Sequence, residues 1–210
     1  MRLRWAAILS LGTIPILAQQ DRPLLHFGFE KAGLAVPHYE IDLYADGGGV
    51  YRLPRGAAQP QSAIITVRAA TVRVIFAATD AVVSNHCGTR EKNLADEGTK
   101  LLEYFAAGVR SSCSFNYSDD EKLRAAAEAF QEIAETVQAG ARLEQERRFD
   151  RLGLDAEVDS FTDLVKAGHA IEVQNIAPVL KAIANDDRVM DRVRRKAARL
   201  LQDALPDNSR

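Results

Sequence analysis

From His38 onward apolar and polar residues alternate with a period of two. Tyr39, Ile41 and Leu43 stand against Glu40, Asp42 and Tyr44, the mark of a strand with one buried face. Asp46-Gly47-Gly48-Gly49 interrupts the alternation before Val50 to Leu53. Glycine reaches the positive φ that tight strand connections require, so 38–53 predicts a β-hairpin. A phosphate-cradling loop would lead from a strand into a helix N-terminus, whereas this glycine run leads into another strand. Ser62 to Val67 is a short β-branched run and a third strand. Upstream, residues 19–37 carry Pro23, Gly28, Gly33 and Pro37 among scattered apolar positions and read as an irregular lead-in. One short extended piece is expected there, at Leu24 to Phe29.

The period then changes. Val72, Ile75, Phe76, Thr79, Val82 and Val83 recur at helical spacing, predicting one amphipathic helix of about four turns from near Ala69. Residues 84–97 are polar and irregular. Thr99 to Phe105 and Val109 to Tyr117 flank Ala106-Ala107-Gly108 and form a second hairpin. Ser118 and Glu121 are spaced as a capping box, followed by the apolar face Leu123, Ala126, Ala127, Phe130, Ile133, Ala134 and Val137. That helix is expected to reach about residue 147, with Gly140 its weak point. Further helices follow: one capped by Asp155 and ending near Gly168, one over Ile171 to Ala184 bent at Pro178, and one from Asp187 with Val189, Met190, Val193, Ala197, Leu200 and Leu201 inward.

Strands interrupted by a single helix point to an α+β class: an antiparallel sheet with helices on one face, then a small C-terminal helical unit. The expected organisation is a leader at 1–18, the lead-in at 19–37, the α+β module at 38–148 and the helical unit at 149–210. Short links between the last helices imply antiparallel packing.

The leader places the chain in a compartment. Arg2 and Arg4 precede the uncharged, mostly apolar stretch Trp5 to Leu17, and Ala18 leads into Gln19-Gln20-Asp21-Arg22. This order of charge, apolar run and small residue is that of a cleavable signal peptide. The run is shorter than the roughly 20 apolar residues of a spanning helix. Cleavage near Ala18 is expected, with a periplasmic or extracellular mature chain that has no transmembrane segment.

Composition adds little beyond exclusion. Apolar residues are 47% and charged ones 27% of the 210, which is ordinary globular usage. Loss of Arg2 and Arg4 takes 2 of the 27 basic residues, leaving 25 against 29 acidic ones. A mildly acidic protein has no electrostatic reason to seek nucleic acid. The two cysteines, Cys87 and Cys113, read in an exported chain as a disulfide. A thiol site helped by His86 is the functional alternative, but these residues match no recognised metal spacing.

Catalytic patterns are missing from the sequence. His26, His38, His86 and His169 show no ligand spacing, and no G-x-S-x-G occurs. Ser111-Ser112-Cys113-Ser114 lies in a strand without an assignable base. Asp119-Asp120 and Asp186-Asp187 fall where helices start, where the dipole favours negative charge. Arg188, Arg192, Arg195 and Arg199 form a basic stripe opposite the apolar face of the last helix, read as a solvated face paired with nearby carboxylates. No cofactor or metal site is expected.

Four segments carry a resemblance: Asn116-Tyr117-Ser118, Arg151-Leu152-Gly153-Leu154-Asp155, Gln174-Asn175-Ile176-Ala177-Pro178, and Val193-Arg194 with Ala197, Arg199 and Leu200. Together they resemble an uncharacterised family of exported bacterial proteins. The resemblance implies export and this fold, and brings no assigned activity. The order of elements is also similar to that of small secreted hairpin–helix domains, some of them inhibitors. Pro178 to Leu201 is similar to a single HEAT-like helix pair. The functional expectation is therefore a non-enzymatic exported protein acting by protein–protein interaction in the cell envelope, with another envelope or secreted protein as partner. The alternative is a small-molecule binder or enzyme with a site between sheet and helical tail, for which Asn116, Tyr117, Arg151 and Asp155 are the candidate residues.

Overall fold

A computed structural model describes residues 22–54, 62–87, 97–106 and 108–204. The leader at 1–18 lies outside the described residues. The alternation seen from His38 is realised as strands β2 (His38–Tyr44) and β3 (Gly48–Arg52), joined by a tight turn. Gly47 sits in that turn at φ +88°, and a Cβ there would run into the Val67 carbonyl oxygen. The turn thus needs glycine both for its dihedral and for its neighbour. Strand β4 (Ser62–Thr66) and the hairpin β5 (Thr99–Ala106) and β6 (Val109–Phe115) complete the expected set.

The extended piece expected at Leu24 to Phe29 is a full strand, while residues 31–37 after it are irregular. Leu24–Glu30 is strand β1, hydrogen-bonded to β2 on one side and β5 on the other, with Phe27 opposite both Ile41 and Leu102. Leu25, Phe27 and Phe29 alternate toward the core, a period that flanking Pro23 and Gly33 obscure in the sequence. The six strands form one antiparallel sheet in the order β4-β3-β2-β1-β5-β6, so the stretch assigned to the lead-in is an inner strand.

Helices cover one face, as the α+β class requires. The expected helix after β4 is broken into α1 (Ala69–Phe76) and α2 (Thr79–Val83). The break at Ala77-Ala78 lets Val72 and Ile75 of α1, and Ala81 and Val82 of α2, all reach the core. Helix α3 (Glu121–Phe149) is capped by Asp120, whose side chain accepts the Lys122 and Leu123 N–H groups. Ser118, the expected cap, instead accepts the Asp120 N–H at 3.2 Å. The aspartate takes two helix donors at once, and the helix starts two residues later than the capping-box spacing implies.

α3 is about 43 Å long and serves two cores. Its first half, with Leu123, Ala126, Phe130 and Ile133, packs on the sheet; the Phe130 ring stacks on Phe27 with centroids 4.8 Å apart. Farther along, Ala139 and Leu143 join α4 (Leu154–Lys166), α5 (Ala177–Ala184) and α6 (Asp191–Ala204) in a second core with Phe161, Leu180 and Val193. Gly140 does not break α3. It marks the point where Ile176 seats, since a Cβ there would meet the Ile176 side chain. Pro178 does not bend a helix either: Val173–Ile176 is a separate 3-10 turn, and the proline lies in the first turn of α5, where its missing N–H costs nothing.

The disulfide is formed. Cys87, after α2, bonds Cys113 in β6, with Cα atoms 5.1 Å apart. It fastens the segment following α2 to an edge strand of the sheet.

Candidate functional site

The sheet has a second face. Alternation sends Leu25, Phe27, Ile41 and Tyr51 to the helices, so their neighbours point the other way. No helix or strand of the described residues lies over that side: Ile64 is 87% exposed, and Arg110, Ser112 and Ser114 are exposed as well. The strand register arranges this open face in rows. Tyr44, Leu24, Phe105 and Arg110 stand side by side on β2, β1, β5 and β6. The next row runs Ile64, Val50, Asp42, His26, Glu103 and Ser112.

The aromatic row is bordered by cations. The Arg22 guanidinium lies 4.8 Å from the centre of the Tyr44 ring, and that of Arg110 lies 5.1 Å from the Phe105 ring. Arg22 also pairs with Asp46, and Arg110 with Glu103 at 3.3 Å. Tyr44 and Phe105 are both half-buried, each with a guanidinium lying over its ring.

The second row holds the chemistry. His26 Nδ1 lies 2.7 Å from Asp42 Oδ1, and Arg52 Nη1 donates to Asp42 Oδ2 at 2.6 Å. The hydrogen bond to Asp42 raises the His26 pKa above its ordinary 6.5, against the opposing effect of burial. Burial pushes the Asp42 carboxyl upward, but the His26 and Arg52 hydrogen bonds outweigh it and bring the group below its ordinary value. A carboxylate that fixes one imidazole nitrogen can orient the other for proton transfer. The adjoining row holds Gly28 and Leu101, and Ser112 lies beyond Glu103 in the row of His26 itself. His26, Asp42 and Arg52 thus form an ion cluster on the open face of the sheet. The sequence signal that places His26 is the Leu25-Phe27-Phe29 alternation, which fixes it to the opposite side.

The four candidate residues do not come together. Asn116 and Tyr117 line a cavity of about 370 Å³ where β6 ends and α3 begins, with Lys31, Lys100, Arg124 and Glu128. Asp155 lies in the first turn of α4, pairing with Arg192 at 2.8 Å and Lys196 at 3.0 Å. It is not that helix's cap, a position held by Gly153. Arg151 precedes α4; its Nε is shielded from solvent without a hydrogen-bond partner among the described residues, and its charge helps lower the Asp186 carboxyl. Asp186 is held well below the usual carboxylate range chiefly by the Arg188 hydrogen bond. Much of the basic stripe is therefore paired: Arg188 with Asp186 and Arg192 with Asp155.

The seam between sheet and tail is built for attachment. Asn175 accepts the Thr66 N–H at 2.8 Å and returns a hydrogen bond to the Thr66 carbonyl at 3.1 Å, imitating a neighbouring strand on the β4 edge. Gln174 adds a bond to the same carbonyl at 2.9 Å. Glu172, only 1% exposed, accepts from Thr71 Oγ1 at 2.5 Å, from the Arg68 N–H and Nε at 3.1 Å, and from Gln174 Nε2. Its backbone is left-handed, φ +57°, a strain of about 1–2 kcal/mol that these bonds offset. Beside it an apolar groove of about 210 Å³ runs between Tyr51, Ile64, Gly140, Ile176 and Val179.

Among the described residues no group of three or more His, Cys, Asp or Glu side chains is placed to hold a metal ion, and no helix is long and apolar enough to cross a membrane. Comparison with known proteins finds no family model that matches the chain and no curated relative.

Proposed function

We propose that this chain is an exported protein that works by binding another protein through the open face of its sheet. The observation that carries the reading is that face itself: a row of Tyr44, Leu24 and Phe105 edged by Arg22 and Arg110, beside a half-buried ion cluster, with the helices all on the other side. Aromatic and arginine side chains are the residues that anchor protein interfaces. Six strands spaced about 4.8 Å apart, with about seven residues each, present roughly 550 Å² in projection. That is of the order of one side of a standard interface, about 800 Å² of accessible surface.

The chemistry of the face selects the class of partner. Glu40, Asp42 and Glu103 are interleaved with Arg52, Arg110 and His26, a mosaic with no excess of positive charge. A polyanion such as nucleic acid or an acidic membrane gains nothing from it, and a flat sheet does not enclose a small molecule. A folded protein with its own apolar patch and mixed charges complements it. Export is supported by the disulfide, which is consistent with an oxidising compartment, by the leader pattern at 1–18, and by the likeness to exported bacterial proteins. A binding or catalytic site at the seam is less well supported, because the Glu172 carboxylate, the Gln174 Nε2 and the Asn175 amide spend their hydrogen bonds on docking the tail.

The test uses a photo-crosslinking residue at Ile64, on the open face, and a control at Leu152, 82% exposed in the helical unit, in the cells that make the protein. One partner captured at Ile64 but not at Leu152, and bound in purified form more weakly by Phe105→Ala and Arg110→Glu, supports the reading. Capture of the same proteins at both positions, or purified binding untouched by both substitutions, refutes it.

A further inference from the structure

The cavity at the far end of the sheet has a charge distribution that packing alone does not explain. Lys31 after β1, Lys100 in β5 and Arg124 in the first turn of α3 all line it. Lys100 is 6% exposed and points from the face that otherwise holds Leu102 and Phe27. Its ammonium donates to the Asn116 carbonyl at 2.9 Å and the Glu97 carbonyl at 3.4 Å, while the Glu97 carboxylate stands off at 3.7 Å. Burial lowers the Lys100 pKa against the pull of the Glu97 carboxylate; the charge of Lys31 adds to the lowering and that of Glu128 opposes it, so the cavity sets three cations against two carboxylates. Arg124 donates to the Ser118 carbonyl across 3.4 Å and makes no ion pair among the described residues.

We propose that this cavity binds a small ligand through a carboxylate or phosphate oxyanion held by Lys100, Arg124 and Lys31. A buried ammonium satisfied mainly by carbonyl dipoles is under-compensated. An oxyanion would relieve the repulsion between Lys31 and Lys100 and take charge-assisted hydrogen bonds from both Lys100 and the guanidinium. The space of about 370 Å³ falls within the range of small-molecule pockets. Gln131 on α3 offers a polar group to the rest of the ligand, and the Glu128 carboxylate restricts the site to an oxyanion seated on the side of the three cations. This site lies on the helix-covered side and its occupation does not depend on what the open sheet face binds.

The test is a titration of the full, disulfide-bonded, isotope-labelled chain with succinate and, separately, with inorganic phosphate, at an ionic strength held constant with chloride. Amide shifts at Lys100, Asn116, Tyr117, Ser118 and Arg124 that saturate at millimolar concentration are expected in at least one arm. The arm that saturates identifies the oxyanion. Lys100→Met removes a buried hydrogen-bonding group and risks unfolding, so the decisive variant is Arg124→Gln, whose melting temperature should stay near that of the parent. It is expected to weaken binding about tenfold. Shifts that rise linearly with concentration in both arms, or an affinity equal in Arg124→Gln, overturn the proposal and leave Lys100 as a staple of the β6–α3 turn.

Discussion

Replacing Glu172 separates the charge of the sheet–tail joint from its shape. Its carboxylate takes Thr71 on one oxygen and Arg68 N–H, Arg68 Nε and Gln174 Nε2 on the other. In Glu172→Gln the amide oxygen can occupy the three-donor side, and its NH2 then meets the Thr71 hydroxyl, which can accept. Shape and bonds persist while the charge is lost, a cost of about 1–2 kcal/mol. Glu172→Ala strips the acceptor from all four donors around a carboxylate that is itself 1% exposed, costing about 3–5 kcal/mol. For a chain of this size each kcal/mol shifts the melting temperature by about 2–4 °C. The glutamine variant should therefore melt about 2–8 °C lower, and the alanine variant about 6–20 °C lower.

Acid titration gives a second readout of the same joint. Burial alone would raise the Glu172 carboxyl, but the Thr71, Gln174 and Arg68 hydrogen bonds outweigh it and hold it below its ordinary 4.5. At acid pH the unfolded chain then binds the extra proton. The contribution is fully present above the unfolded pKa and is lost as pH falls through the folded one. Urea unfolding followed by circular dichroism between neutral and acid pH should show a shallower acid loss in Glu172→Gln than in the parent. Equal losses in the two variants, or an alanine variant within about 1 kcal/mol of the parent, would refute this account of the joint.

Reduction of Cys87–Cys113, or Cys113→Ser, removes a closure of 26 residues' separation and should cost about 3.5 kcal/mol on the chain-entropy model; thermal melts with and without reductant that coincide would contradict it. Gly140→Ala gains about 1 kcal/mol of helix propensity but drives a methyl into Ile176. A net loss of about 1–2 kcal/mol is expected in denaturant melts, and a stabilised variant would show that Ile176 moves freely. His26 should titrate above 6.5 by NMR, and Asp42→Asn should bring it below that value, because burial then acts without its strongest opponent. With the folded pKa raised, the pair's stabilisation is complete below pH 6.5 and fades as pH rises through the folded pKa; an unshifted His26 in Asp42→Asn would discount the pair.

The elements with a strong local period were legible in the sequence. Tyr39-Ile41-Leu43 declared a strand, and Leu123 through Ala134 declared the helix that crosses the sheet, because a buried face repeats at the pitch of its element. Less was legible where local signals compete. Of β1 the extended piece at Leu24 to Phe29 was legible but not its inner place in the sheet, and the 77–78 break in the first helix exists only because two helix faces must meet one core. Pro178 carried a correct warning about helix geometry with the wrong result, since the preceding turn ended before it.

The candidate sites divide in the same way. Cys87 and Cys113 could be paired from compartment and count, whereas the grouping of Asn116, Tyr117, Arg151 and Asp155 followed sequence motifs that the fold carries to separate places. The amino-acid order by itself determined the α+β class, the identity of most buried faces and the bridged thiols, because these depend on residue spacing and type. Tertiary structure alone decided that β1 lies between β2 and β5, which sets His26 beside Asp42 and Glu103, and that Lys31, Lys100 and Arg124 share one cavity. Those neighbours are far apart in the chain, and strand order, which brings them together, is set by how the sheet packs on α1, α2 and α3 rather than by any local pattern.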